Sequence, residues 1–91
     1  MWYVYILKSI SSPEQEYTGM TADLKQRLKD HNAAKSVHTS KYVPWSLEWY
    51  CGFPDKLQAI AFENYLKSHS GRAFAKKRLI PRVNIGARHK P

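Results

Sequence analysis

Aromatic and β-branched residues fill WYVYILK, residues 2–8, with no polar break before the lysine. That is the pattern of a strand covered on both faces. SISSPEQ, residues 9–15, brings a proline and small polar residues and reads as a loop. Extended structure resumes over residues 16–19, and the short loop between the two runs implies an antiparallel hairpin. The period then lengthens. Thr21 is placed as an N-cap, with Asp23 in the first turn, opening a helix that runs to His31 or Asn32. At about 100° per residue, Leu24 and Leu28 share one stripe, Arg27 and His31 flank it, and Lys25, Gln26, Lys29 and Asp30 face the open side.

A polar stretch, residues 32–42, reads as a loop. Pro44 opens a second aromatic run, WSLEWYCGF, which predicts a third strand that Pro54 ends. Residues 56–68 are helical in pattern. Leu57, Ile60, Ala61, Phe62, Tyr65 and Leu66 spread so far around the wheel that burial on more than one side is expected. Glu63 falls in the narrow polar gap with Lys56 and Lys67. Ser70-Gly71 is read as the break, followed by a short, very basic helix from Arg72 to Leu79. The order β-β-α-β-α-α predicts a small α/β (α+β) domain over residues 1–80. Its three-stranded antiparallel or mixed sheet is flanked by helices, with the third strand joined by a crossover over the first helix. Residues 81–91, poor in apolar side chains, are read as a loose basic tail. There is no internal repeat and no low-complexity tract.

Ninety-one residues allow one compact core. The single cysteine, Cys51, excludes an internal disulfide and reads as a small core residue, so a reducing, cytoplasmic setting is expected. MWYVYILKSI has no basic segment ahead of its short apolar run, unlike a signal peptide. No stretch approaches the roughly 20 apolar residues of a membrane span.

The net charge of +8 matters less than its placement. Up to Glu63 the charges cancel, seven against seven. From Asn64 onward come Lys67, Arg72, Lys76, Lys77, Arg78, Arg82, Arg88 and Lys90, with no acid. A one-sign block attracts polyanions, nucleic acid above all. A solubilising tail is the plainer alternative. An acidic membrane surface fits less well, because the block lacks an anchoring apolar face.

Some chemistries are excluded at once. His31, His38, His69 and His89 lack zinc-ligand spacing, and one cysteine adds nothing to them. Glycine is too scarce for a phosphate loop. What remains is Tyr5, Tyr17, Arg27, His31 and Glu63. Each has an ordinary explanation: strand aromatics, an arginine lying over Leu24, a histidine at a helix end, an i,i+4 pair of Glu63 with Lys67.

Together, in order, they resemble the GIY-YIG endonuclease family. Val4-Tyr5-Ile6 matches the GIY half of the motif and Tyr17-Thr18-Gly19 the YIG half. Arg27 follows Tyr17 by ten residues, and His31 completes an R-x-x-x-H helix. Glu63 in AFENYLK matches the glutamate of the later helix. The resemblance covers roughly residues 2–80 and is nearest to small stand-alone bacterial members related to excision-repair nucleases. Tyr3 stands where the first motif has glycine, Thr18 where the second has isoleucine, and Met20 where many members have lysine. Asn84 is a weak match to a late asparagine and is not assigned.

The resemblance implies hydrolysis of DNA phosphodiesters with one divalent metal ion, Mg²⁺ or Mn²⁺. Glu63 would hold the metal, Arg27 the scissile phosphate, and Tyr17 the water or phosphate. Tyr5 is the expected general base, with His31 taking its proton or acting as base itself. Lys35, Lys41, Arg72, Lys76, Lys77 and Arg78 are candidate backbone contacts, which give affinity without base reading. Structure-selective or nonspecific action in repair or recombination is expected, on branched or single-stranded DNA, with a homodimer supplying two sites for a duplex. Two alternatives stay open: a nucleic-acid-binding module without catalysis, and a nuclease subunit that needs a partner in a larger complex.

Overall fold

The computed structural model describes residues 1–80. The expected basic tail, with Arg82, Asn84, Arg88 and Lys90, lies outside the described residues. Strand β1 (Trp2–Ser9) is central, and β2 (Glu16–Thr21) and β3 (Trp45–Phe53) flank it. Both pairings are antiparallel, which removes the mixed-sheet option. The edge strands run the same way, so the segment through helix α1 (Leu24–Asn32) crosses from one edge to the other. Helices α2 (Lys56–Lys67) and α3 (His69–Phe74) follow, and a π-helical turn, Ala75–Leu79, ends the described chain.

Val4, Tyr5, Ile6 and Leu7 are all buried, as a centre strand requires. Their alternation divides the interior in two. Val4 and Ile6 meet Ala59 and Leu66 of α2, together with Ala75 and Ile80. Tyr5 and Leu7 meet Trp45, with Leu24 and Leu28 of α1 packed against them. A bulge sits between Ile6 and Leu7: Trp49 pairs with Ile6 and Leu47 with Leu7, leaving Glu48 as the extra residue. It lets odd-numbered residues of β3 serve both interiors, with Trp49 and Phe53 on the α2 side and Trp45 and Leu47 on the α1 side.

Three expectations shift. Asp23, not Thr21, caps α1, its carboxylate accepting from Gln26 N at 3.0 Å. Thr21 sits two residues earlier and accepts from Asp23 N at 3.1 Å, fixing the approach turn. The break after α2 is Ser68, not Ser70-Gly71. Its hydroxyl donates to Tyr65 O at 2.6 Å and accepts from Gly71 N at 3.1 Å, closing one helix and opening the next. Gly71 lies inside α3 because a Cβ there would collide with the Tyr65 carbonyl. Finally, α2 is buried on one side only. Ala59 and Leu66 face the sheet, Phe62 stacks near Trp49 and Phe53, and Leu57 stays 72% exposed. Tyr65 stays 41% exposed, with Phe74 of α3 beside it at 6.0 Å between ring centroids.

Cys51 is half-buried at the margin of the α2-side core, and burial pushes its thiol up. No helix among the described residues is long and apolar enough to cross a membrane.

Candidate active site

The hairpin register places Tyr5 opposite Gly19 and Tyr17 opposite Leu7, so both phenols rise from the face that α1 covers. Gly19 makes this arrangement fit. A Cβ on it would stand 2.5 Å from the Tyr5 hydroxyl and 2.9 Å from the Tyr17 ring. Leu24 and Leu28 seat α1 on this face, which brings Arg27 and His31 over the two tyrosines. The ring centroids of His31 lie 5.9 Å from Tyr5 and 4.9 Å from Tyr17.

His31 is fully buried. Its Nε2 is 2.9 Å from the Tyr5 hydroxyl and its Nδ1 is 2.8 Å from Thr39 Oγ1. Burial lowers its pKa from the ordinary histidine value; the Arg27 charge adds to this, and Asp30 opposes it. The imidazole is therefore neutral near pH 7. The half-buried Arg27 guanidinium lies against the Tyr5 hydroxyl and near Tyr17, contacts that raise its own pKa. Tyr5 is pushed up to about 12, chiefly by burial; Arg27 pulls the other way, and the charges of Tyr17 and Glu63 add to the rise. The result is a neutral phenol–imidazole pair beside a cation.

Glu63 lies on the helix that covers the opposite face of the sheet. It sits on α2, its side chain 18% exposed, and its carboxylate is 3.0 Å from Lys67 Nζ. Its charge is felt at Tyr5, but no hydrogen bond joins it to the other four residues. Among the described residues no group of three or more His, Cys, Asp or Glu side chains is arranged to hold a metal. A metal here would rest on one carboxylate, a hard oxygen donor that suits Mg²⁺ or Mn²⁺ when phosphate oxygens and waters complete the shell.

The expected backbone contacts separate. Arg72 and Lys76 line a groove of about 490 Å³, which Lys67, not among the expected contacts, shares with Glu14, Glu16 and Tyr17. Tyr17 thus belongs to both the buried cluster and the groove. Lys77 and Arg78 are exposed on the π-helical turn but do not line that groove. Lys35 is exposed and paired with Asp30 at 3.7 Å. Lys41 is exposed on the short 3₁₀ turn Ser40–Tyr42.

Two supporting residues escape sequence reasoning. Thr39 sits in the polar loop, with no periodicity to mark it. Asn32 ends α1 and grips the first residue of β3, accepting from Trp45 N at 2.5 Å and donating to Trp45 O at 3.1 Å. A terminal asparagine looks like an ordinary helix stop, and its second role depends on tertiary placement.

Residues 1–78 match the GIY-YIG catalytic domain. The chain belongs to the GIY-YIG family. A UPF0213 protein of Streptococcus pyogenes serotype M3 is 38% identical over 72 residues, covering 78% of this chain and 76% of its own length. "Structure-specific endonuclease subunit SLX1" of Malassezia globosa is 36% identical over 77 residues, and that of Candida dubliniensis 41% over 71. The matches cover 79% and 70% of this chain but only 17% and 25% of those proteins. A solution structure of a UPF0213 protein from Bacillus halodurans matches over the whole of both chains, with a TM-score of 0.53 and 28% identity. The match to the bacterial relatives spans most of both chains, whereas the SLX1 proteins extend well beyond the shared domain.

Proposed function

We propose that this chain is a metal-dependent endonuclease that hydrolyses DNA phosphodiesters without reading base sequence. The observation that carries this reading is the Arg27–Tyr5–His31 cluster, a cation and a phenol–imidazole pair assembled from α1 and β1. Pure binding requires none of this. Hydrolysis asks for a positioned water, a route for its proton, and charge at the phosphorus.

Arg27 would hold the scissile phosphate with its planar donor fork. Tyr17, shared with the groove, would order the water or a phosphate oxygen. Tyr5 would receive the proton of the attacking water while passing its own to His31. In the free protein the raised Tyr5 and the lowered His31 both keep that proton on the phenol. Transfer therefore awaits substrate. Glu63 would hold one Mg²⁺ or Mn²⁺ ion, which when bound neutralises charge on the phosphate and leaving oxygen.

Lys67, Arg72 and Lys76 would track the DNA backbone along the groove, with Lys35, Lys41, Lys77 and Arg78 as outer contacts. No base-reading element faces the site among the described residues, which favours structure-selective or nonspecific cutting of branched or single-stranded DNA in repair or recombination. The SLX1 relatives are named as endonuclease subunits, which supports a second reading in which a partner protein or a second copy is needed for cutting.

A panel of labelled single strands, duplexes, flaps and junctions, incubated with Mg²⁺, Mn²⁺ or EDTA, tests the reading. Metal-dependent cutting that Glu63→Ala and Tyr5→Phe abolish, with DNA binding kept, upholds it. Salt-sensitive binding with no cutting of any substrate transfers the case to the partner-dependent subunit or to a binding module.

A further inference from the structure

Thr39 is 1% exposed and lies in the segment joining α1 to β3. Its backbone is held from three directions. Its carbonyl accepts from Trp45 Nε1 at 2.9 Å and from Tyr42 N at 3.2 Å, and its N–H donates to Ser36 O at 3.2 Å. Trp45 is itself clamped by Asn32 at the end of α1. The hydroxyl so fixed stands 2.8 Å from His31 Nδ1.

A neutral imidazole carries one N–H and one lone pair, and its neighbours decide which nitrogen has which. Two hydroxyls compete for the lone pair here: Tyr5 at Nε2 and Thr39 at Nδ1. A phenol, titrating near ~10, is a stronger donor and a weaker acceptor than an aliphatic alcohol. The Arg27 cation against its oxygen sharpens that difference. The lone pair belongs at Nε2, facing Tyr5, and the N–H at Nδ1, facing Thr39.

We infer that Thr39 is a positioning residue: its hydroxyl accepts the Nδ1–H of His31, which turns the Nε2 lone pair onto the Tyr5 hydroxyl and makes His31 the acceptor for the Tyr5 proton. The role in cutting rests on the nuclease reading above; the direction of the hydrogen bonds does not. The charged and titratable groups around the ring are Arg27 and Asp30 on α1, Tyr5 on β1 and Tyr17 on β2, and none of them contacts Nδ1.

The test is a long-range proton–nitrogen correlation spectrum of the full chain, ¹⁵N-labelled, at about pH 8, above the ordinary histidine pKa of roughly 6.5. The wild-type spectrum is expected to show His31 as the Nδ1–H tautomer. Thr39→Ser should preserve it, and Thr39→Val should shift it toward Nε2–H. On a cleavable DNA, Thr39→Val should slow single-turnover cutting at least about 10-fold with unchanged DNA affinity. Thr39→Ser should stay within about threefold of wild type and keep its pH profile. A wild-type Nε2–H tautomer overturns the inference, and so does a Thr39→Val protein that folds, keeps its tautomer and cuts normally. If Thr39→Val does not fold, the wild-type tautomer and Thr39→Ser decide. If no DNA is cut at all, the nuclease reading fails while the spectrum still judges the hydrogen bonds.

Discussion

The Tyr5 hydroxyl and His31 Nε2 lie 2.9 Å apart, both residues sealed from solvent, 26 positions apart in sequence and joined only by the fold. Tyr5→Phe removes the hydroxyl while keeping the ring's packing against Leu7 and Trp45. Cutting should fall by about 10²–10⁴, the range for losing a proton-transfer group. The buried imidazole loses a partner, so urea unfolding should show about 1–3 kcal/mol of destabilisation. Full activity in a folded Tyr5→Phe protein would exclude Tyr5 from the chemistry.

The same pair sets the pH range of stability. His31 has a folded pKa below its unfolded value, so the unfolded chain binds the proton more readily. Stability should be complete above about pH 6.5 and decline as pH falls below it. Tyr5 works at the other end. Its folded pKa is about 12, above the ordinary value of 10.0, so its contribution is present below pH 10 and lost as pH climbs through 12. The loss amounts to about 2–3 kcal/mol. Chemical denaturation against pH, with Tyr5→Phe and His31→Gln beside wild type, measures both arms.

Glu63→Gln, in a Tyr5→Phe background with DNA bound so that phosphate oxygens complete the shell, should abolish the protein-dependent Mn²⁺ binding read by calorimetry or paramagnetic resonance. Because the Lys67 pair it breaks is partly exposed, stability should change by no more than about 1 kcal/mol. Undiminished Mn²⁺ affinity would place the metal elsewhere.

Arg72 and Lys76 line the groove that Tyr17 shares with the site. Neutralising either should weaken DNA binding evenly across sequences and lower the slope of log affinity against log salt by about one. Fluorescence anisotropy over a salt series gives that slope, and an unchanged slope for both variants would take the DNA off this groove.

Ala34 adopts φ 59°, the left-handed region that costs a non-glycine residue about 1 kcal/mol or more. It follows the C-cap Ala33, and its N–H donates to His31 O at 3.1 Å. Glycine is the usual occupant of such a position. Ala34→Gly should therefore raise the urea midpoint or leave it level, despite the added freedom of the unfolded chain. A clear drop would mean that the Ala34 methyl makes compensating contacts.

What could be read in advance followed from local rules. The unbroken apolar run of residues 2–8 marked the centre strand, and the helical period placed Arg27 and His31 at the edge of the Leu24–Leu28 stripe. The cap of α1 is not legible to the residue, because Thr21 and Asp23 are both good caps and only the backbone geometry decides between them. The outer face of α2 is illegible for a different reason. Leu57 and Tyr65 have core composition, and a wheel cannot say that only one side meets a sheet. The bulge at Glu48 was invisible, since Trp45, Leu47, Trp49 and Phe53 keep one parity while they change faces. Thr39 and Asn32 act through partners far along the chain, which no local pattern marks.

Placing Tyr5 on β1 has a consequence for how the site comes apart. The strand is hydrogen-bonded on both edges and buried on both faces, so its amides should exchange with solvent only when the whole molecule unfolds. α1 rests on the sheet through Leu24, Leu28, the His31–Tyr5 hydrogen bond and the Asn32 clamp, fewer ties than β1 has, and its amides belong to a looser cooperative unit. A folded molecule that has lost its site is therefore one in which Arg27 and His31 have lifted away while the tyrosines stay in register. Exchange rates along α1 report the fraction of time the site is assembled.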